Sequence, residues 1–343
     1  MATVRAGTAA SPGRVAVGLL LLAACNPDPP PTPPSEWQVV FEHQPGALLR
    51  VIGNNSKDVL VVGADVDGQG PIALHYDGTR WRRHRTGTTG DLWWSFPLGA
   101  DDYRLVGDGG QIVRYTPSTG TFAATQAPTN DRLFGVWGSS ATDLWTVGGQ
   151  TARNRGVIWH DDGSGPTALS SGPSATSSAA LFKAQGVGSD TVWFVGQRGV
   201  LLRKDSAGFT QFPSLTPYPL MGLHGIRTDR VYAVGGVAGG VILRFDGTSW
   251  SDESPMGIPQ MIAIWAVDGD EAWAAGFNGN AFHRKDGVWT KHEPRLPTFV
   301  DLHSIWVDDQ GGIWMAGGRL SLDPPTDGVL LYYGPPISKE VVE

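Results

Sequence analysis

One glycine-ended phrase recurs seven times along the 343 residues of this chain. The phrases are DVLVVG, DYRLVG, DLWTVG, TVWFVG, RVYAVG, EAWAAG and GIWMAG, and they end at Gly63, Gly107, Gly148, Gly196, Gly235, Gly276 and Gly317. Successive glycines stand 44, 41, 48, 39, 41 and 41 residues apart, a period of about 42. Residues 261–290 show the whole unit: apolar runs at 261–265, 271–275, 281–284 and 288–290. Turn chemistry parts them, namely Asp268-Gly269-Asp270, residues 276–279 and Asp286-Gly287. Runs of this length between Gly and Asp read as strands joined by tight hairpins. A four-stranded meander cannot bury both of its faces alone, so it must stack on its copies. The pattern therefore predicts an all-β chain, a seven-bladed β-propeller with four antiparallel strands per blade.

The two ends of the repeat region complement each other. The seventh repeat runs through GVLLYY and stops at Gly334-Pro335-Pro336 without a fourth strand. Residues 37–42 (WQVVFE) read as a strand that belongs to no repeat, so the N-terminal strand is expected to complete the last blade and close the ring. Closure removes the open edge that would otherwise template aggregation. The propeller then spans 37–334, and the tail 335–343 is expected to be peripheral.

Before the propeller lie two segments of different character. Arg5 and Arg14 precede an apolar run, 15–24, that is too short to span a bilayer and reads as a signal peptide, 1–24. It ends in Leu22-Ala23-Ala24-Cys25, which resembles the bacterial lipobox. That resemblance implies cleavage before Cys25, its lipidation with palmitate or similar chains, and membrane anchoring. Cys25 is the single cysteine, so no disulfide is available. Residues 25–36 are then a lipidated cysteine and a tether. The stretch NPDPPPTPPSE holds six prolines and forms a polyproline spacer, roughly 30 Å at about 3.1 Å per residue. The expected location is the cell envelope, outer membrane, facing the periplasm or cell surface.

Composition sharpens this. Charged residues are 17% and the net charge is −7, which argues against nucleic acid as a partner. The 14 tryptophans mostly keep fixed places in the repeat, as expected of packing between blades. Eleven residues before the glycine stand Ile52, Phe96, Trp137, Trp265 and Trp306, with Gln185 and His224 as polar exceptions. The repeats are similar to those of bacterial propellers of the BNR or Asp-box-related class, including the photosystem II assembly-factor type, over about 37–334. Kelch repeats are a second likeness, through Gly148-Gly149, Gly235-Gly236 and Gly317-Gly318. The sialidase Asp-box is not matched, since Asp77-Gly78-Thr79-Arg80-Trp81 places Gly directly after Asp.

No linear motif names a reaction. Gly-x-Ser-x-Gly, a phosphate loop and metal-spaced histidines are all missing, and no cofactor is expected. Asp65 and Asp67 alternate as in the start of a calcium loop. The distal acidic ligand is lacking, with Ala73 and Tyr76 in its place, and an Asp/Gly hairpin explains the pattern as well. Residues 80–85 (RWRRHR) form the densest positive run, placed on an outer strand, where charge protects an edge or meets anionic envelope polymers. His224 and His303 lie on inner strands and read as packing histidines.

The third place of each inner strand should be small, because these strands crowd toward the axis. It is small at Gly135, Gly222, Ala263 and Ser304, but Arg50, Trp94 and Lys183 occupy the other three. Departures from a local packing rule concentrate at functional sites. These three suit a carboxylate or acidic sugar, with Arg198 and Arg153 added from the loops after the second strands. They equally suit a filled channel in which Trp94 plugs the axis. The favoured function is a lipid-anchored binding or scaffold module for an envelope protein or acidic glycan. The alternatives are a propeller glycan hydrolase or lyase, and an assembly factor for an envelope complex.

Overall fold

The computed structural model describes residues 1–3, 7, 35–169, 173–188, 190–268, 270–294 and 300–342. Cys25 and most of the tether lie outside the described residues. The compact unit is Pro34–Glu343. It holds seven sheets built on antiparallel pairing, six of them starting as a consecutive four-stranded meander from an inner strand outward, and the seventh taking its outer strand from the N-terminal end. The inner strands are Leu48–Asn55, Leu92–Gly99, Arg132–Ser140, Leu181–Val187, Leu220–Arg227, Met261–Val267 and Asp301–Val307. Each packs against the inner strands on both sides, the last against the first, so the sheets are blades of a closed ring.

Ring closure follows the expected route. Strand Glu36–Gly46 pairs antiparallel with Thr326–Gly334, setting Trp37 opposite Tyr333 and Val39 opposite Leu331. It is longer than the 37–42 read from its apolar residues, because irregular pairing after Val39 carries it on to Gly46. Val40 and Phe41 are its buried residues.

The tail is an ordered part of the sheet: Val341–Val342 adds a short parallel strand beside Trp81 and Arg82, outside the fourth strand of the first blade. The Trp81 amide donates to the Glu340 carbonyl at 2.8 Å, and its indole Nε1–H donates to the Ser338 carbonyl at 3.1 Å. Trp81 is fully buried. The tail gives both of its N–H groups an acceptor where no fifth strand of the blade exists to supply one.

Tryptophans join the blades as expected, and glycines make room for them. A Cβ on Gly186 would stand 1.9 Å from the Trp137 ring, and one on Gly53 would stand 2.8 Å from Trp306. Each indole therefore lies flat on a neighbouring inner strand that must lack a side chain there. Trp265 stacks on His224 across another such boundary, centroids 3.8 Å apart. Within blades, Trp145 stacks on His160 and Trp273 on His283, and those imidazoles are held by Asp143 and Glu271.

A bulge recurs near the start of all seven inner strands, between the first and third residues of five and between the second and fourth of Arg132–Ser140 and Asp301–Val307. A bulged residue leaves the alternation of faces and re-aims its side chain. The seven are Leu49, Trp93, Phe134, Phe182, Met221, Ile262 and His303. Trp93 meets His303 at 5.9 Å and Phe134 at 5.6 Å, and Phe134 meets Phe182 at 5.3 Å. An aromatic collar thus spans four blades at one level of the channel.

Candidate functional site

Directly after the bulge comes the position expected to be small, and here the structure brings Arg50, Trp94 and Lys183 together. The Arg50 guanidinium carbon and the Lys183 Nζ each lie 3.8 Å from the Trp94 ring centroid. Both cations are nearly sealed from solvent, 3% and 5% exposed. Arg50 donates from Nε to the Ser95 carbonyl and from Nη1 to Ser304 Oγ, while Lys183 Nζ donates to the Phe134 carbonyl. Neither has a carboxylate partner among the described residues. Burial lowers the Arg50 pKa to about 9, and burial together with Arg50 puts that of Lys183 well below its ordinary value. The shared indole face offsets part of that cost through cation–π attraction.

Two histidines border this cluster. His224 Nδ1 accepts the Ala266 amide N–H at 2.9 Å, which leaves its proton on Nε2. His303 donates Nδ1–H to the Leu49 carbonyl at 2.5 Å. Burial and the nearby cations push both imidazoles down to about 3, so both are neutral. The expected role of packing histidines describes them well.

Beside Arg50 and Trp94 lies a small cavity also lined by Gln185, His224, Ala263, Ile264, Trp265 and Ile305. The space open to the centre of a water molecule is about 10 Å³, roughly one water. Arg153 and Arg198 are not part of the cluster. Arg153 is exposed and lines an open cleft of about 430 Å³ with Asp131, Arg132 and Gln150. Arg198 is exposed on the turn Gln197–Gly199, in the left-handed region at φ 58°.

Asp65 serves its own loop. Its Oδ1 accepts the Gly70 amide and its Oδ2 the Gly90 amide, while Asp67 accepts the Gln69 amide. No cluster of three or more metal-ligating side chains occurs among the described residues. These bonds hold the loop and tie it to Gly90 on the neighbouring one.

A third feature lies on the outer wall. His75, Asp77, Arg82, Arg83, His84 and Arg85 line an open groove of about 550 Å³, whose other wall is the turn 117–120. Arg82, Arg83 and Arg85 are exposed, and none has a carboxylate partner among the described residues. His84 is turned inward to Tyr115, 3.1 Å from its hydroxyl, and burial lowers its pKa to about 4.

Apart from His303, the collar residues were not singled out from sequence. Their signal is the bulky second letter in LLR, LWW, LFG, LFK, LMG, MIA and LHS, which becomes meaningful once a bulge is recognised.

No protein-family model matches the chain, and no curated protein does. Solved structures do. A streptogramin B lyase structure aligns over 88% of this chain and 98% of its own, at 14% identity and TM-score 0.64. YCF48 from Cyanidioschyzon merolae aligns over 87% and 98%, at 15% identity and TM-score 0.65. The WD40 propeller domain of Doa1 aligns over 89% and 99%, at 9% identity and TM-score 0.67. At these identities the likeness is one of fold alone, and a shared fold does not assign a shared function.

Proposed function

We propose that this protein is a lipid-anchored β-propeller of the cell envelope that acts as a binding module, its partner an acidic glycan or an acidic protein segment. The observation that carries the reading is the groove on the outer wall: three exposed arginines without carboxylate partners, in a concavity of about 550 Å³. Guanidinium groups fork onto carboxylates with two parallel hydrogen bonds, which suits a partner bearing repeated carboxylates. The net charge of −7 disfavours polyanions at long range. Attraction is therefore confined to this patch and should be screened by salt. The anchoring half of the reading is supported by Leu22-Ala23-Ala24-Cys25 and the proline-rich spacer that follows it.

The test is titration calorimetry of the Cys25→Ser chain with polygalacturonate and with polyglutamate. A variant carrying Arg82→Ser, Arg83→Ser and Arg85→Ser is the comparison. Exposed substitutions of this kind leave stability within about 0.5 kcal/mol. The expected result is binding by the parent that weakens with added salt and falls at least about tenfold in the triple variant, the scale of roughly 1.4 kcal/mol. Equal binding by parent and variant, or none by either, rejects the groove as the binding surface.

A further inference from the structure

The cluster on the propeller axis is built like a site for an ion, and that ion is small. Two cations lie together in nearly complete burial, 3% and 5% exposed, with no carboxylate partner among the described residues. A buried charge is normally paired, because leaving it uncompensated costs several kcal/mol. Arg50 spends Nε and one Nη1–H on Ser95 and Ser304. Its remaining N–H groups have no protein acceptor among the described residues, and Arg50 lines the axis cavity. His224 lines it too, and with Nδ1 taken by the Ala266 amide, its free polar group is the Nε2–H donor. Gln185 gives its Nε2 to the Gly186 carbonyl and keeps one acceptor oxygen. Apart from that oxygen, the polar side chains of the lining offer donors and positive charge.

Size narrows the occupant. The cavity admits about one water-sized body, which excludes a sugar or even a free carboxylic acid. We propose that this cavity binds a single inorganic anion of halide size, held by Arg50 and His224 and by the field of Lys183. The occupant would compensate the charge cluster and fasten the inner strands that meet there, namely those carrying Arg50, Trp94, Lys183 and His224. This proposal is independent of the groove and of the lipid anchor.

Two measurements test it on the Cys25→Ser chain. The first is the melting temperature in chloride and in bromide against gluconate at constant ionic strength. A ligand that binds only the folded state raises the melting temperature as its concentration rises. The expected result is a rise of several degrees with halide, abolished in Lys183→Met and in Arg50→Met. Lys183→Met removes one buried cation for an apolar chain of similar length, a change that usually folds. The second is anomalous diffraction from crystals grown in bromide, which needs no variant. A bromide peak within hydrogen-bonding reach of Arg50 supports the site. A halide-independent melting temperature, or a water at that position in bromide crystals, overturns it.

Discussion

His224 and His303 give the protein a defined acid sensitivity. An imidazole in the unfolded chain titrates near 6.5, but in the fold both are held at about 3. Between those values the unfolded chain binds more protons than the folded one, so stability falls as pH falls through that window. His84, lowered to about 4, has the same sign. Asp91 has the opposite sign. Its carboxyl is raised from 3.8 to about 6 by burial, so between those values it adds stability as acid is added. Asp301 and Asp308, also raised by burial, act with Asp91, while His292, lowered by burial, acts with the other imidazoles. The two sealed imidazoles, displaced furthest, set the sign of the sum. Asp58 and Asp143, held low, add to acid loss only below the ordinary carboxylate range. The melting temperature should therefore drop from pH 6.5 to pH 4. His224→Asn together with His303→Asn should flatten that slope, since Asn reproduces either an acceptor or a donor at the Nδ1 place without titrating. Scanning calorimetry across the window checks it, and an unchanged slope in the double variant would refute the assignment. Part of the axis was readable at this scale. Arg50, Trp94 and Lys183 stood out because they break the small-residue rule at the third place. Trp93 and Phe134 did not, because a bulge sends two consecutive side chains inward where alternation predicts one. Thus Trp93 and Trp94 both reach His303, at 5.9 and 6.5 Å.

Strands carry the next level of the argument, and the two chain ends differ sharply. Glu36–Gly46 is an integral fourth strand that buries Val40 and Phe41. Phe41 packs edge-on against Trp81 at 5.1 Å. Removing 36–46 forfeits at least about 3–6 kcal/mol of side-chain burial from those two residues, before any ladder bonds are counted. Removing 337–343 orphans two N–H groups of buried Trp81, at about 1–3 kcal/mol each. Removing 26–35 touches neither. Melting temperatures should fall in the order parent equal to the 26–35 deletion, then the 337–343 deletion, then the 36–46 deletion. A 36–46 deletion as stable as its parent would contradict the closure described. The closing strand was legible because the seventh repeat visibly lacks a member. The tail strand was not, since a two-residue parallel pairing leaves no periodic trace. The seven blades were legible for a different reason: weak signals in register add, and each glycine marks the place where Cβ would collide with a backbone carbonyl, at 2.1 Å for Gly107 and 1.9 Å for Gly317.

At the scale of the molecule, the proposed anchor and the proposed binding at the wall groove are separable. Cys25→Ser should move the protein from the membrane fraction to the soluble fraction while leaving polyanion binding and melting temperature unchanged. Fractionation and mass spectrometry of the mature N-terminus check this, and a soluble, unacylated parent would rule the anchor out. Ring closure also sets a clock. Glu36 pairs with Gly334, Trp37 with Tyr333 and Val39 with Leu331, partners separated by nearly the whole chain. Contacts of such sequence separation are entropically costly to form and slow. A chain that folds as it is made, N-terminus first, completes six blades from local hairpins while its opening strand waits for a partner still to be delivered. Until then the half-made ring offers exposed edges to other chains, the state most prone to aggregate. The speed of maturation is therefore set by the arrival of residues 326–334, and the demand for a chaperone is greatest just before the protein is finished.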